Sequence, residues 1–283
     1  MPELPEVHTT VMGLRPVIVG RTIKSVWSDF HIGTSHGHKQ NLKNRNYLKE
    51  FKKIVVGARI VSVERKGKNI LINLNNKYTI IVHMKMTGHL MTGAYDKFIH
   101  FRATLSHGKE LCLSDMRKFA SVCVEETDEL DMHEGLNVLG TDALQIGIKE
   151  FIEKIQTRRD TPIKSVLLDQ KVVAGIGNIY SDEILWASLV HPLSRSGGIP
   201  QRVLQTMYKH SQRILRQSIR LGGDSMSDYR NVEGKKGGFQ KLHKAYRQTG
   251  KKCQRRGCGG IIRRMMVRGR SAHFCSKHQK MYA

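Results

Sequence analysis

The sequence contains no aspartate or glutamate from Gly234 to Ala283; Glu233 is the last acid in the chain. No apolar run approaches the roughly 18 residues of a membrane-spanning helix. The opening residues, Met1-Pro2-Glu3-Leu4-Pro5-Glu6, lack the apolar stretch of a secretory signal. Cysteine is scarce, with five residues unevenly spread, and the odd number argues against a disulfide framework. These absences set aside a membrane protein and a disulfide-stapled secreted domain. An intracellular protein is expected.

What is present points to a folded chain with an anionic partner. At 283 residues, 39% hydrophobic and 25% charged, the length suggests about two domains, each able to bury a core. The net charge is +24, an excess that solubility does not require. It implies a polyanion, either nucleic acid or an anionic membrane surface. Of that excess, the 15 Lys and Arg after Glu233 supply more than half. Block charge often marks a disordered tail, but this segment also carries Cys, His and apolar residues that a tail does not need. A smaller basic run, His31–Lys53, reads as a surface loop or a small helix.

Periodicity divides the chain. Leu4, Val7, Val11 and Leu14 predict a helix over 3–15, with Gly20 ending the unit. Ile- and Val-rich stretches predict strands at Arg21–Trp27, Lys53–Val63, Asn69–Leu74, Tyr78–Met84, Phe98–Leu105, Leu111–Ser114 and Ala120–Val124. They form an antiparallel β domain ending near residue 130, with a linker to about 145. Helices are predicted at Lys149–Arg158, Ile163–Gln170, Ile179–Ala187 and Pro200–Leu221. In the last of these, Val203, Leu204, Met207, Tyr208, Ile214, Leu215 and Leu221 make an apolar stripe. Gly223–Gly238 is polar and Gly-rich and reads as a mobile loop.

Cys253, Cys258, Cys275 and His278 are spaced C-x4-C-x16-C-x2-H. Two close pairs separated by a hairpin-length insert suit a structural zinc ion, each pair on its own knuckle. Zinc would also fold a segment too small and too basic to bury its own core. Cys112 and Cys123 lie in strand patterns and read as core residues.

At the other end, removal of Met1 would expose the amine of Pro2. A terminal amine has a reference pKa of about 7.7–8.0, so part of it is unprotonated at neutral pH and can form an imine. Glu3 and Glu6, three apart, fall on one helical face, where a buried acid could donate a proton. Acids there would equally suit the helix dipole with no chemistry at all.

Taken in order, Met1–Val7, Lys66-Gly67-Lys68, Met86-Thr87-Gly88, Asp115–Phe119, Gly175–Tyr180 and the C-terminal cysteine module resemble the formamidopyrimidine-DNA glycosylases, the Fpg branch of the Fpg/Nei family. The resemblance spans nearly the whole chain. It implies an α+β protein with four parts. Residues 1–130 would be an N-terminal antiparallel β-sandwich with a leading helix, and 131–145 a linker. Residues 146–233 would be a helical domain with a helix–two-turn–helix motif, and 234–283 a zinc-finger hairpin.

The resemblance also implies excision of oxidised purines from damaged double-stranded DNA, followed by β,δ-elimination, by a monomer working in the cytoplasm or nucleoid and bound to no membrane. Pro2 would be the nucleophile and Glu3 the acid at the opening sugar, with Glu6 supporting the helix. Lys68 would bind phosphate near the lesion and assist elimination. Met86, Arg117 and Phe119 would fill the void left by the flipped base. Lys164, Asn178 and Arg270 would contact phosphates. One zinc ion would sit on Cys253, Cys258, Cys275 and His278. The family's usual finger reads C-x2-C-x16-C-x2-C, and its usual loop Asp-Pro-Arg-Arg-Phe-Gly; here His278, Met116, Lys118 and Ala120 depart from those patterns. Alternative readings are a Nei-like enzyme for oxidised pyrimidines, a non-catalytic binder of damaged DNA, and a ribosomal or topoisomerase-like nucleic-acid binder.

Overall fold

The computed structural model describes residues 2–32, 41–93, 96–226 and 228–283. The chain forms two compact units, Met1–Asn137 with Leu221–Gly238, and Val138–Arg220 with Phe239–Ala283.

The first unit opens with α1 (Leu4–Ile18), whose Leu4, Val7, Val11, Leu14 and Ile18 are buried. It continues with β1 (Ile23–Ser28), α2 (Arg45–Val55), β2 (Ile60–Lys66), β3 (Asn69–Leu74), β4 (Tyr78–His83), β5 (His89–Thr92), β6 (Ile99–Leu105), β7 (Glu110–Ser114) and β8 (Ser121–Glu126). These strands make two four-stranded antiparallel sheets, ordered β1-β6-β7-β5 and β2-β3-β4-β8. Their inner faces meet at Ile23, Phe101, Leu105 and Leu111 from one sheet and Ile60, Ile72, Ile80 and Val82 from the other. That is the expected sandwich, with alternating residues supplying the core.

Two local expectations are corrected. The strand expected at Lys53–Val63 is the end of α2, a turn, and the start of β2. Tyr47, Phe51 and Val55, four apart, are the buried stripe that extends the helix through the Ile- and Val-rich stretch. Asn44 caps the helix by accepting the Asn46 N–H at 3.0 Å. The basic run is therefore helical from Arg45; its residues 33–40 lie outside those described. The short strand β5 is an addition to the expected set. Gly88 sets its start, because a Cβ there would stand 2.5 Å from the Met84 carbonyl oxygen.

The second unit contains a two-residue parallel pair, β9 (Thr141–Asp142) with β10 (Val173–Ala174). It also holds α3 (Ile148–Gln156), α4 (Ile163–Leu168), α5 (Asn178–Ala187) and α6 (Gln201–Arg220). Leu204, Met207, Ile214 and Leu215 of α6 are buried, as the stripe predicts, whereas Leu221 lies past the helix end and is exposed. A hairpin of β11 (Ile262–Val267) and β12 (Arg270–Cys275) closes the chain. Arg268 (φ 44°) and Gly269 (φ 78°) form its two-residue turn, where both central residues must take positive φ. Among the described residues no helix is long and apolar enough to cross a membrane.

Candidate active site and nucleic-acid interface

Pro2, Glu3, Glu6 and Lys68 are all buried in the first unit. Glu3 is the N-cap of α1 in extended conformation, so it precedes the helix rather than sharing a face with Glu6. The two acids close a capping box, in which Glu6 Oε2 accepts the Glu3 N–H at 2.7 Å. Glu6 Oε1 accepts the Asp224 N–H at 2.7 Å, and the Glu6 carbonyl accepts the Tyr229 hydroxyl at 3.0 Å. Burial pushes the Tyr229 phenol above its ordinary range, so it stays a donor.

Among the described residues of 221–238 there is no α-helix or strand, yet these bonds tie the segment to α1. Ser225 Oγ donates to the Tyr229 carbonyl at 2.9 Å, and Thr92 N–H donates to the Val232 carbonyl at 3.0 Å. Lys68 occupies the β2–β3 turn, on strands against which α1 packs. Asn69 pairs with His83 across the ladder. His83 is pushed down to about 3 by burial, with the charges of Lys85 and Lys68 adding to it, so its imidazole is neutral.

Met86, Arg117 and Phe119 come together at the surface of the same unit. Arg117 Nη1 lies 3.5 Å from Met86 Sδ, and its guanidinium carbon sits 4.3 Å from the Phe119 ring centroid. Met86 and Phe119 are 42% and 43% exposed, far more than core residues of their type, so the cluster presents apolar surface around one cation. Beneath it Asp115 is fully buried. Its Oδ1 accepts the Thr87 hydroxyl and, at 3.2 Å, the Arg117 N–H; its Oδ2 accepts the Ala120 N–H at 2.6 Å. One carboxylate thus fixes both segments that carry the trio.

In the second unit Lys164 is fully buried. Its Nζ donates to Asp182 Oδ1 at 2.6 Å, Ser181 Oγ at 3.1 Å and the Asn178 carbonyl at 3.4 Å. Asp182 Oδ2 accepts the N–H and Nδ1 of His273 at 3.0 and 2.8 Å. The ammonium expected at a phosphate therefore joins α4 and α5 to β12. Asn178 opens α5; its Nδ2 donates to Ser271 Oγ at 3.3 Å, and its Oδ1 has no hydrogen-bond partner among the described residues. Arg270 is exposed at the first position of β12, opposite Val267. Glu183, also buried, accepts the backbone N–H groups of Lys244, Ala245 and Tyr246 at 2.8–3.1 Å. Burial raises its carboxyl, and these donors oppose the shift.

Cys253, Cys258, Cys275 and His278 converge, with all four ligand atoms within 4.8 Å of one another. Cys253 and Cys258 Sγ lie 3.3 and 3.4 Å from His278 Nδ1, and Cys258 and Cys275 Sγ are 3.5 Å apart. A tetrahedral zinc ion with ordinary bond lengths separates its ligands by about 3.5–3.8 Å. The donor set fits one such ion. His278 Nε2 lies 3.3 Å from the Trp186 carbonyl, which takes its proton and leaves Nδ1 for the metal. Cys112 and Cys123 stay outside this cluster; burial pushes their thiols up to about 11 and about 12.

A family model described as formamidopyrimidine-DNA glycosylase N-terminal domain matches residues 1–122, and one described as formamidopyrimidine-DNA glycosylase H2TH domain matches residues 139–230. The chain belongs to the formamidopyrimidine-DNA glycosylase family.

Relatives in the family bear that name over their full length. The formamidopyrimidine-DNA glycosylase of Pelotomaculum thermopropionicum is 34% identical, over 99% of this chain and all of the relative. That of Oceanobacillus iheyensis is 36% identical, over 97% and 96%. The crystal structure of the MutM (Fpg) protein from Thermus thermophilus superposes with a TM-score of 0.86 at 29% identity, each chain fully covered. The Lactococcus lactis Fpg (MutM), solved with N7-benzyl-Fapy-dG containing DNA, gives 0.84 at 30% identity, over 97% and 98%.

Against the family pattern, Lys118 replaces arginine and takes φ 52°, and Met116 replaces proline and is exposed. The Asp115 bonds and Lys118 itself hold the loop without that proline. Sequence reasoning assigned no role to Asp182, Glu183, His273 or Tyr229. For Asp182 and Glu183 a signal existed. Apolar residues on both sides of α5, Ile179, Tyr180, Ile184 and Leu185, leave the acids between them nowhere to face but the interior.

Proposed function

We propose that this chain is a bifunctional DNA glycosylase/AP lyase that removes oxidised purines from double-stranded DNA and then cuts the abasic strand, acting as a monomer on intracellular DNA. The observation that carries this reading is the burial of Pro2, Glu3, Glu6 and Lys68 together in the first unit. An N-terminal amine beside a sequestered acid is the equipment of imine chemistry, and it is not needed for binding alone.

After loss of Met1, the Pro2 nitrogen attacks C1′ of the flipped nucleotide and the C1′–N bond to the base breaks. Glu3 supplies a proton to the sugar ring oxygen, which opens the ring and leaves an iminium at C1′. Loss of a C2′ proton then expels the 3′ phosphate, and a second elimination expels the 5′ phosphate. Lys68 holds the phosphate and assists these steps. Met86 and Phe119 enter the vacated stack, and Arg117 bonds the orphaned base, offsetting the few kcal/mol that flipping costs. Asn178 and Arg270 grip phosphates. In this reading Lys164 positions the turn of Asn178 from within the core. Zinc supplies no chemistry to the reaction; it fixes the hairpin that carries Arg270.

Borohydride trapping tests the proposal. A covalent adduct is expected with an 8-oxoguanine duplex, and it is lost in Pro2→Gly or in protein whose intact mass retains Met1. An adduct only with oxidised pyrimidine overturns the purine assignment. No adduct with any lesion overturns catalysis in favour of a binder.

A further inference from the structure

We infer that Lys43 and Lys118 are positioning residues that hold the Arg117 loop and thereby set selectivity for the base opposite the lesion. This rests on the excision activity proposed above.

Lys43 belongs to the basic run that matches no family motif, and its placement is built from three local devices. Leu42 is fully buried, and its N–H donates to the Val122 carbonyl at 3.1 Å, plugging the segment into the sheet. The Asn41 side chain accepts the Lys43 N–H at 2.7 Å, and Asn44 caps α2. The chain on both sides of Lys43 is thus fixed, and its Nζ donates to the Phe119 carbonyl at 3.2 Å. Lys118 grips the loop from the other side. Its Nζ donates to the Asp29 carbonyl at 3.3 Å and the Ile32 carbonyl at 3.1 Å, and lies 3.5 Å from Asp29 Oδ2. Asp29 is itself held by His100 Nδ1 at 2.8 Å.

Arg117 and Phe119 alternate with Lys118 along the loop. Arg117 can read an opposite base only if its backbone is stationary. A hydrogen bond that discriminates between bases loses its selectivity when its donor wanders, because a displaced guanidinium finds other acceptors. The two lysines tether the loop to β1's end and to the start of α2.

The test compares kcat/KM for 8-oxoguanine opposite cytosine and opposite adenine, in wild type, Lys43→Met and Lys118→Met. The cytosine-to-adenine ratio is expected to fall about three- to tenfold, the range of one hydrogen bond, and Lys43→Arg is expected to restore most of it. If Lys43 merely gripped phosphate, both duplexes would weaken equally and the salt dependence of binding would drop by about one counterion; that result overturns the inference, as does an unchanged ratio. A thermal midpoint equal to wild type shows that the loop and not the fold has changed; where the midpoint falls, the Arg variant supplies the comparison. Wild type that excises nothing from either duplex is a failure of the proposed function, whereas wild type that excises with an unaltered variant ratio is a failure of this inference alone.

Discussion

Glu6 Oε1 accepts the backbone N–H of Asp224 at 2.7 Å, across 218 residues of sequence, while its other oxygen accepts the N–H of Glu3. One carboxylate therefore locks the start of the chain, with Pro2 beside it, to the Gly-rich segment after α6. Both Glu6 oxygens are occupied by backbone donors, which supports the positioning role proposed for it; the proton-transfer role proposed for Glu3 rests on the family resemblance. Glu6→Ala is expected to cost about 2–4 kcal/mol, from two charge-assisted bonds lost in a buried site. Urea unfolding measures this, and the trapping yield should fall with it. Glu6→Gln keeps one acceptor oxygen and is expected to lose less on both counts.

The Met86, Arg117 and Phe119 cluster predicts a split between the two half-reactions. Arg117→Ala or Phe119→Ala should slow base excision from duplex DNA by about ten- to a hundredfold, since the void left by flipping goes unfilled. Strand cleavage at a preformed abasic site, where no base must be unstacked, should slow less. Single-turnover kinetics on the two substrates read the difference.

Lys164 and Asp182 form a buried ion pair to which His273 is hydrogen-bonded, so removing one partner of the pair strands the other. Lys164→Met should destabilise the protein by about 3–5 kcal/mol by leaving Asp182 without its cation. Adding Asp182→Leu to Lys164→Met should recover part of that loss, because the uncompensated charge is then gone. Denaturant unfolding of the single and double variants checks this. A surface lysine touching phosphate would show no such stability cost.

Metal removal should release the β11–β12 hairpin and, with it, Arg270. Chelation confirmed by metal analysis is expected to abolish binding to a duplex carrying an abasic-site analogue. His278→Ala should lower zinc retention, whereas His278→Cys, which supplies a fourth thiolate, should retain the ion. Binding undiminished after complete zinc loss would count against a structural role.

His83 gives a pH dependence. Its folded-state pKa lies near 3, below the ordinary histidine value of 6.5, chiefly because burial disfavours the cation. A depressed pKa contributes stability that is fully present above about pH 6.5 and is lost as pH falls toward the folded value, because only the unfolded chain takes up the proton. Between pH 7.5 and 5 this one group should remove on the order of 1–2 kcal/mol. His83→Asn should show a smaller drop in thermal midpoint over that interval than wild type.

Much of this was legible without coordinates. The i, i+3, i+4 spacing of Leu4 to Leu14 and the stripe through Leu204, Met207 and Leu215 placed α1 and α6, since a helix must bury one face. Alternating Ile and Val placed most strands. The cysteine spacing located the zinc cluster, because two short knuckles and a hairpin insert leave little geometric choice. Lys53–Val63 reads as one strand because β-branched residues run across the end of α2 and the start of β2, and composition does not mark that junction. Whether Lys164 faced water or the core was not legible either; a lysine six residues before Gln170 carries no sign of its burial.

By itself the sequence determined most of the elements, the metal ligands, and the concentration of positive charge after Glu233. Those follow from local periodicity, ligand spacing and composition, which act within a few turns of chain. Only the tertiary structure decided what each charge does. It turned Glu6 toward Asp224, sank Asp115 beneath the Arg117 loop, and closed Lys164 onto Asp182. Each of those outcomes joins residues distant in sequence, where a buried charge must find its partner and no local pattern names it.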